Sequence, residues 1–197
     1  MPTDRQPTRV AVDAMGGDHA PAEIVAGAVR AARQGDVAIT LVGDPDAVQA
    51  ELDRHDTRAL PIGIVPSVGV IREGEAPALA LRQKPNASII VATGAVREGR
   101  ADACVTMGST GAAVAAAAVL LGVIEGIDRP ALGGPIIGLA PHTAILDVGT
   151  NVDCRPAQLV SFAVIGDVMA RRFWDIERPR VGLLSVGVES GKGNRQV

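Results

Sequence analysis

Aromatic side chains are almost missing from this chain: among 197 residues there are two Phe, one Trp and no Tyr. Proteins that hold single-stranded nucleic acid need aromatic platforms for the bases, so that class is excluded. Charge of one sign is missing too. Nineteen Lys and Arg against 22 Asp and Glu give a formal net charge of -3, which argues against nucleic acid as a partner and against a polybasic membrane-binding surface. Only two cysteines occur. Cys104 and Cys154 stand alone in apolar stretches and read as buried thiols in a reducing compartment, not as a disulfide framework. The longest apolar run, the Ala-rich Gly111 to Ile124, falls short of the roughly 20 residues of a spanning helix. The opening MPTDRQPT is polar and Pro-containing; residues 1–8 read as a disordered terminus and not as an export signal. These absences leave a soluble cytoplasmic protein with a core of Ala, Val, Ile and Leu.

What is present is a rhythm. Short β-branched runs alternate with helical patterns, predicting strands at Val10–Val12, Ala38–Val42, Pro61–Val65, Ala103–Thr106, Ala144–Val148 and Val181–Val186. Helices are predicted from Pro21 to about Arg33, across Asp46–Arg54 behind the Gly43-Asp44-Pro45 turn, and at Ala76–Arg82 and Ser88–Glu98. Two more are predicted at Thr110–Leu121 and Pro156–Arg172. Ser88–Thr93 alone has the β-propensity of a strand. Gly133–His142 reads as a loop. The βαβα order implies an α/β fold over residues 9–197, a mostly parallel sheet with helices on both faces. The last strand has no crossover helix to cover it, so the chain is expected to be truncated or to need a partner.

Four glycine-bearing loops follow four of the predicted strands. They are Gly16-Gly17-Asp18-His19, Gly108-Ser109-Thr110-Gly111, the Asp147–Asp153 run with Gly149 and Asn151, and Gly187–Asn194 with Glu189, Gly191, Lys192 and Gly193. In an all-parallel sheet these loops leave on one edge, where α/β folds bind ligands. The first runs from a strand through two glycines into a helix beginning near a proline, an anion-binding arrangement of unpaired N–H groups and helix dipole. Plainer roles fit the same residues: Asp13 and Asp18 as turn formers, Ser109 and Thr110 as helix caps, Asn151 and Asp153 as turn residues before Pro156, Lys192 as a solvated loop lysine. Arg82 and Lys84 fit a basic helix end, and His55 and His142 fit the surface, which leaves His19 as the best-placed histidine. No Cys or His pair has metal-ligand spacing, no nucleophile elbow is visible, and Walker A is absent. No metal and no cofactor are implied. The remaining donors suit a phosphate-like oxyanion.

The loops, with their neighbours, resemble those of a known family. AVDAMGGDHAP, GSTGA (Gly108 to Ala112), GIDRPAL (Gly126 to Leu132), LDVGTNVD (Leu146 to Asp153) and VGLLSVG…KGN (Val181 to Asn194) are similar, in order and spacing, to motifs of the bacterial phosphate acyltransferases of phospholipid synthesis (PlsX). Ser109 and Ser185 stand where that family usually has Asn, Gly191 replaces a more polar residue, and the family is considerably longer than this chain. The resemblance implies a three-layer α/β/α fold akin to isocitrate dehydrogenases and phosphotransacetylases, a homodimer, and attachment to the cytoplasmic face of the membrane. It also implies the reaction, acyl-[acyl carrier protein] plus inorganic phosphate giving acyl phosphate, with the product passed to a membrane glycerol-3-phosphate acyltransferase.

On that footing the amides around Gly16, Gly17, Gly108, Ser109, Thr110 and Gly111 are expected to cradle phosphate, with Gly149 and Asn194 as further binding residues. Lys192 is expected to stabilise the oxyanion or to protonate the leaving thiol. Asn151 and Asp153 would hold Lys192 or the phosphate in register, and Asp18 and His19 would share a proton. Two other readings stand beside this one. A dehydrogenase-like enzyme would put a dinucleotide in the crevice, although the first turn lacks G-x-G-x-x-G spacing. A catalytically incomplete remnant would bind phosphate or acyl carrier protein without turnover.

Overall fold

The structure, a computed structural model, describes residues 6–151 and 153–184. It divides into two compact units, Met1–Gly122 and Val123–Val197. In the first, the predicted rhythm is realised as β1 (Thr8–Asp13), α1 (Ala22–Gln34), β2 (Val37–Gly43), α2 (Pro45–Leu52), β3 (Ile62–Pro66), α3 (Pro77–Gln83), α4 (Ser88–Arg97), β4 (Ala103–Val105) and α5 (Thr110–Leu120). Local chemistry sets several of the helix starts. Asp44 accepts hydrogen bonds from the N–H groups of Asp46 (3.0 Å) and Ala47 (3.1 Å) ahead of Pro45, and Ser109 accepts from Ala112 N–H (3.3 Å). The ambiguous Ser88–Thr93 segment is helical. Its Ile89, Ala92 and Ala95 are buried, and Thr93 satisfies its hydroxyl on the Ile89 carbonyl at 2.7 Å, so packing overrides β-propensity.

The four strands form one parallel sheet in the order β3-β2-β1-β4. Successive residues point to opposite faces. Val12, Ile39 and Leu41 join a core with Val25 and Val29 of α1 and Val48 and Leu52 of α2. Ala11 and Val42 instead meet Ala92 and Ala95 of α4. Helices therefore cover both faces, giving the three-layer α/β/α arrangement. Leu41, Val25, Val29 and Val48 are fully buried, each contributing roughly 1.5–3 kcal/mol of transfer free energy. The order has one functional consequence. The chain steps from β1 to β2 to β3 in one direction, then returns to place β4 on the other side of β1. Such a reversal opens a crevice at the carboxyl ends of the two strands it separates.

The second unit departs from expectation. Its strands are only β5 (Gly133–Gly134) and β6 (Ile145–Leu146), paired antiparallel, followed by α6 (Pro156–Trp174). The predicted Ala144–Val148 strand is thus cut to two residues and lies outside the parallel sheet, and the Gly133–His142 segment is a loop only after its first two residues. Gly133 makes the pairing possible, since a Cβ there would collide with the Ile145 carbonyl oxygen. The premise that all the glycine loops leave one parallel sheet edge therefore fails for the Asp147–Asp153 loop. Residues 181–184 form no regular structure, and the rest of the expected Val181–Val186 strand lies outside the described residues. Among the described residues no helix is long and apolar enough to cross a membrane.

Candidate active site

The β1 and β4 loops meet at the crevice beside the reversal. Asp13, the last residue of β1, is 2% exposed. Its Oδ2 accepts a hydrogen bond from Thr106 Oγ1 (2.8 Å), just past β4, and its Oδ1 accepts from Met15 N–H (3.2 Å). Thr106 Oγ1 in turn accepts from Gly108 N–H (3.0 Å). One carboxylate and one hydroxyl therefore pin two loops that lie about 90 residues apart in sequence.

Glycine is required here for close approach. A Cβ on Gly16 would stand 2.5 Å from Asp13 Oδ2 and 2.8 Å from Thr106 Oγ1, and one on Gly108 would stand 3.1 Å from Gly16 Cα. Gly17, at φ +114°, passes against Met107, where a Cβ would meet the Met107 Cβ and carbonyl oxygen at 3.2 Å. Gly16 and Gly108 thus make the loop-to-loop contact, and the Gly108 amide is spent inside it. Ser109 is buried and caps α5, whereas Thr110 and Gly111 are exposed in its first turn, where backbone N–H groups have no intrahelical acceptor. Asp18 and His19 are exposed beside Gly17, and no hydrogen bond joins their side chains to each other. The His19 carbonyl accepts from Glu23 N–H at 3.1 Å, in the first turn of α1.

In the second unit the Asp147–Asp153 loop is organised by Asp147. This residue has a left-handed backbone, φ +64°. Its Oδ1 accepts from the N–H (3.1 Å) and Nδ2 (2.9 Å) of Asn151, and its Oδ2 accepts from Cys154 Sγ (3.2 Å). Asn151 Nδ2 also donates to the Pro130 carbonyl (3.3 Å), and its Oδ1 accepts from Arg129 Nη1 (3.5 Å). Leu132 N–H donates to Thr150 Oγ1 at 3.0 Å. The Asn151 side chain is therefore committed to its own unit, joining the loop to the 129–132 segment. Gly149 (φ +97°) and Asp153 are exposed. Burial, then the Asp147 hydrogen bond and its negative charge, push the Cys154 thiol up from its ordinary value; burial likewise raises Cys104, against a lowering contact with Thr93. Lys192 and Asn194 lie outside the described residues.

Three residues of this arrangement carry no clear signal of their role in the sequence: Asp13 reads only as a turn former, Thr106 only as the end of a strand, and Asp147 only as the first residue of a glycine-bearing loop. An acidic residue ending an apolar strand was the available clue to Asp13. Nothing local marks Thr106 as its partner.

A family model described as "Fatty acid synthesis protein" matches residues 8–197. The chain belongs to this family. It is 52% identical over 188 residues to the phosphate acyltransferases of Acaryochloris marina and Thermosynechococcus vestitus, in each case across 94% of this chain and 54% of the relative. Against that of Pelotomaculum thermopropionicum it is 50% identical over 186 residues, with the same coverage. The chain thus spans about half the length of the relatives it matches. Among solved structures, a phosphotransacetylase from Streptococcus pyogenes superposes with TM-score 0.62 at 16% identity, covering 87% of this chain and 55% of that one. The EutD phosphotransacetylase from Staphylococcus aureus gives 0.54 at 20% identity, covering 80% and 51%. At such identities the likeness is one of fold, and it agrees with the α/β/α layering of the fatty acid synthesis protein family member described here.

Proposed function

We propose that the protein transfers a fatty acyl group from acyl-[acyl carrier protein] to inorganic phosphate, forming acyl phosphate for phospholipid synthesis. The observation that carries this is the contact of two glycine loops at the sheet reversal, in a chain half identical to phosphate acyltransferases. Phosphate near neutral pH is largely dianionic, so the site needs to place it more than to deprotonate it. The turn amides of Gly17, which is exposed, and of its buried neighbour Gly16, with the first-turn amides of Thr110 and Gly111, are the cradle. Gly108 serves by lacking a side chain and Ser109 by capping α5.

A phosphate oxygen attacks the thioester carbonyl carbon, the tetrahedral oxyanion collapses, and the C–S bond breaks with its electron pair leaving on sulfur. Lys192 stabilises the oxyanion or protonates the departing thiolate, and Asp153, Asp18 and His19 supply the remaining polar groups. Asn151 and Gly149 shape their loop, and Asn194 accompanies Lys192. No cofactor enters the step. Resemblance to phosphate acyltransferases supports a cytoplasmic homodimer at the inner membrane face that hands its product to a glycerol-3-phosphate acyltransferase.

The test is incubation of the purified chain with acyl-[acyl carrier protein], with and without phosphate, following free carrier-protein thiol. Phosphate-dependent release is expected. A folded chain that releases no thiol, but gains activity when lengthened to the size of its relatives, would instead be a binding fragment.

A further inference from the structure

The segment after β3 and the turn after α3 wall an open groove of about 760 Å3, within the range of small-molecule sites. Val68 and Val70 form one wall and Pro85 the other, with Arg72, Lys84 and Asn86 as polar members. The walls are tied together by backbone bonds, Val68 N–H to the Asn86 carbonyl (2.8 Å) and Ser88 N–H to the Gly69 carbonyl (3.2 Å). Lys84 brings no unpaired charge into the groove. Its Nζ donates to both Glu75 carboxylate oxygens (2.7 and 2.6 Å) and to the Val70 carbonyl (2.9 Å), leaving its methylene stem as lining. Val68 is 75% exposed, an apolar wall open to water.

The groove lies on the functional edge of the sheet. Ser67, just before Val68, donates its N–H to the Gly43 carbonyl (2.9 Å) at the end of β2. α3 links groove and crevice: at its start Pro77 packs beside Gly111, where a Cβ would come within 2.9 Å of Pro77 Cγ. Its last residue, Gln83, lines the groove. Seven helical residues span about 10 Å.

We infer that this groove holds the alkyl chain of the acyl substrate, its head group lying at the Gly16 and Thr110–Gly111 amides one short helix away. Resting on the acyltransferase reading above, this adds where the chain lies and which residues set its length. The Val68, Val70 and Pro85 walls and the ion-paired Lys84 ammonium favour hydrocarbon along the groove, with the Arg72 guanidinium the one lining charge that makes no ion pair among the described residues.

Titration of the purified chain with inorganic phosphate and with butyl, octyl, decyl and dodecyl phosphate, all below micelle-forming concentrations, tests it. Affinity is expected to rise about two- to fourfold per added methylene once the chain is long enough to cross the roughly 10 Å of α3 and enter the groove, beyond about eight carbons. Val68→Asp should abolish that rise, and Val68→Trp should move its limit to shorter chains, with inorganic phosphate binding unchanged in both. Leu79→Asp, at an exposed position of α3 outside the groove, should leave it intact. Phosphate binding without chain-length dependence, or a dependence that survives Val68→Asp, would overturn the groove assignment and leave the acyltransferase reading standing. Binding of neither inorganic nor alkyl phosphate would overturn both.

Discussion

Replacing Gly16 with Ala puts a methyl group into the tightest point of the two-loop contact. The new Cβ would stand 2.5 Å from Asp13 Oδ2, 2.8 Å from Thr106 Oγ1 and 3.0 Å from Gly108 N, all closer than carbon tolerates. Asp13, at 2% exposure, cannot relieve the clash by turning to solvent, so the Asp13–Thr106 bond must lengthen or break. A charge-assisted hydrogen bond contributes about 1.5–3 kcal/mol, and with residual overpacking the cost of Gly16→Ala is roughly 2–3 kcal/mol. For a chain of this size that lowers Tm by about 4–12 °C. Thr106→Ala removes the same hydroxyl, with its bonds to Asp13 and Gly108, for about 2–4 kcal/mol. Because both substitutions break one shared interaction, the double variant should be destabilised by less than the sum, by about 1 kcal/mol or more. Urea and thermal unfolding of the three variants measure this. Strict additivity, or a Gly16→Ala chain with unchanged Tm, would refute the pin.

The other expectations are quickly stated. Arg9 holds the Asp102 carboxyl down to about 2 through its guanidinium and its own N–H; the pair therefore stabilises the fold above the ordinary value of 3.8, and the contribution is lost as pH falls from there toward 2. A carboxyl-carbon NMR titration should show Asp102 returning to the ordinary carboxylate range in Arg9→Met. Ser88 Oγ is fully buried without a hydrogen-bond partner among the described residues, so Ser88→Ala should raise stability by about 1 kcal/mol in urea unfolding. Cys154 should alkylate more slowly than an exposed thiol at pH 8, and Asp147→Asn should accelerate it by removing a negative neighbour. Lys192→Ala should lower turnover about 10²–10³-fold with the fold intact; unaltered turnover would return Lys192 to a solvated loop role.

Legibility in the sequence followed the range of the forces involved. Asp44-Pro45 and Ser109 mark helix starts by bonds that span only three or four residues, and both places are where the sequence puts them. The Ser88–Thr93 ambiguity needed neighbours: only burial of Ala92 and Ala95 against the sheet, and of Ile89 against Ala80 of α3 and Ala112 and Ala116 of α5, decides for helix. The predicted Ala144–Val148 strand had suitable residues but pairs over just Ile145–Leu146, because ladder length depends on what the partner segment offers, and Gly133–Gly134 offers two residues. At the site, the glycines of both loops were legible as backbone requirements. The Asp13–Thr106 bond, across 93 positions, was not.

By itself the sequence determined the alternation of strands and helices, the two-faced burial pattern and, through its ordered motifs, the family. These are written in local periodicity and in residue types whose backbone demands are intrinsic, such as Gly17 at positive φ. Only the tertiary structure decided the strand order β3-β2-β1-β4, and with it which loops touch. Strand order is set by competition among long-range pairings that share the same parallel geometry, and no single segment encodes its place in it. That order brings the β1 and β4 loops together at the reversal of the sheet and leaves the Asp147 loop to its own unit.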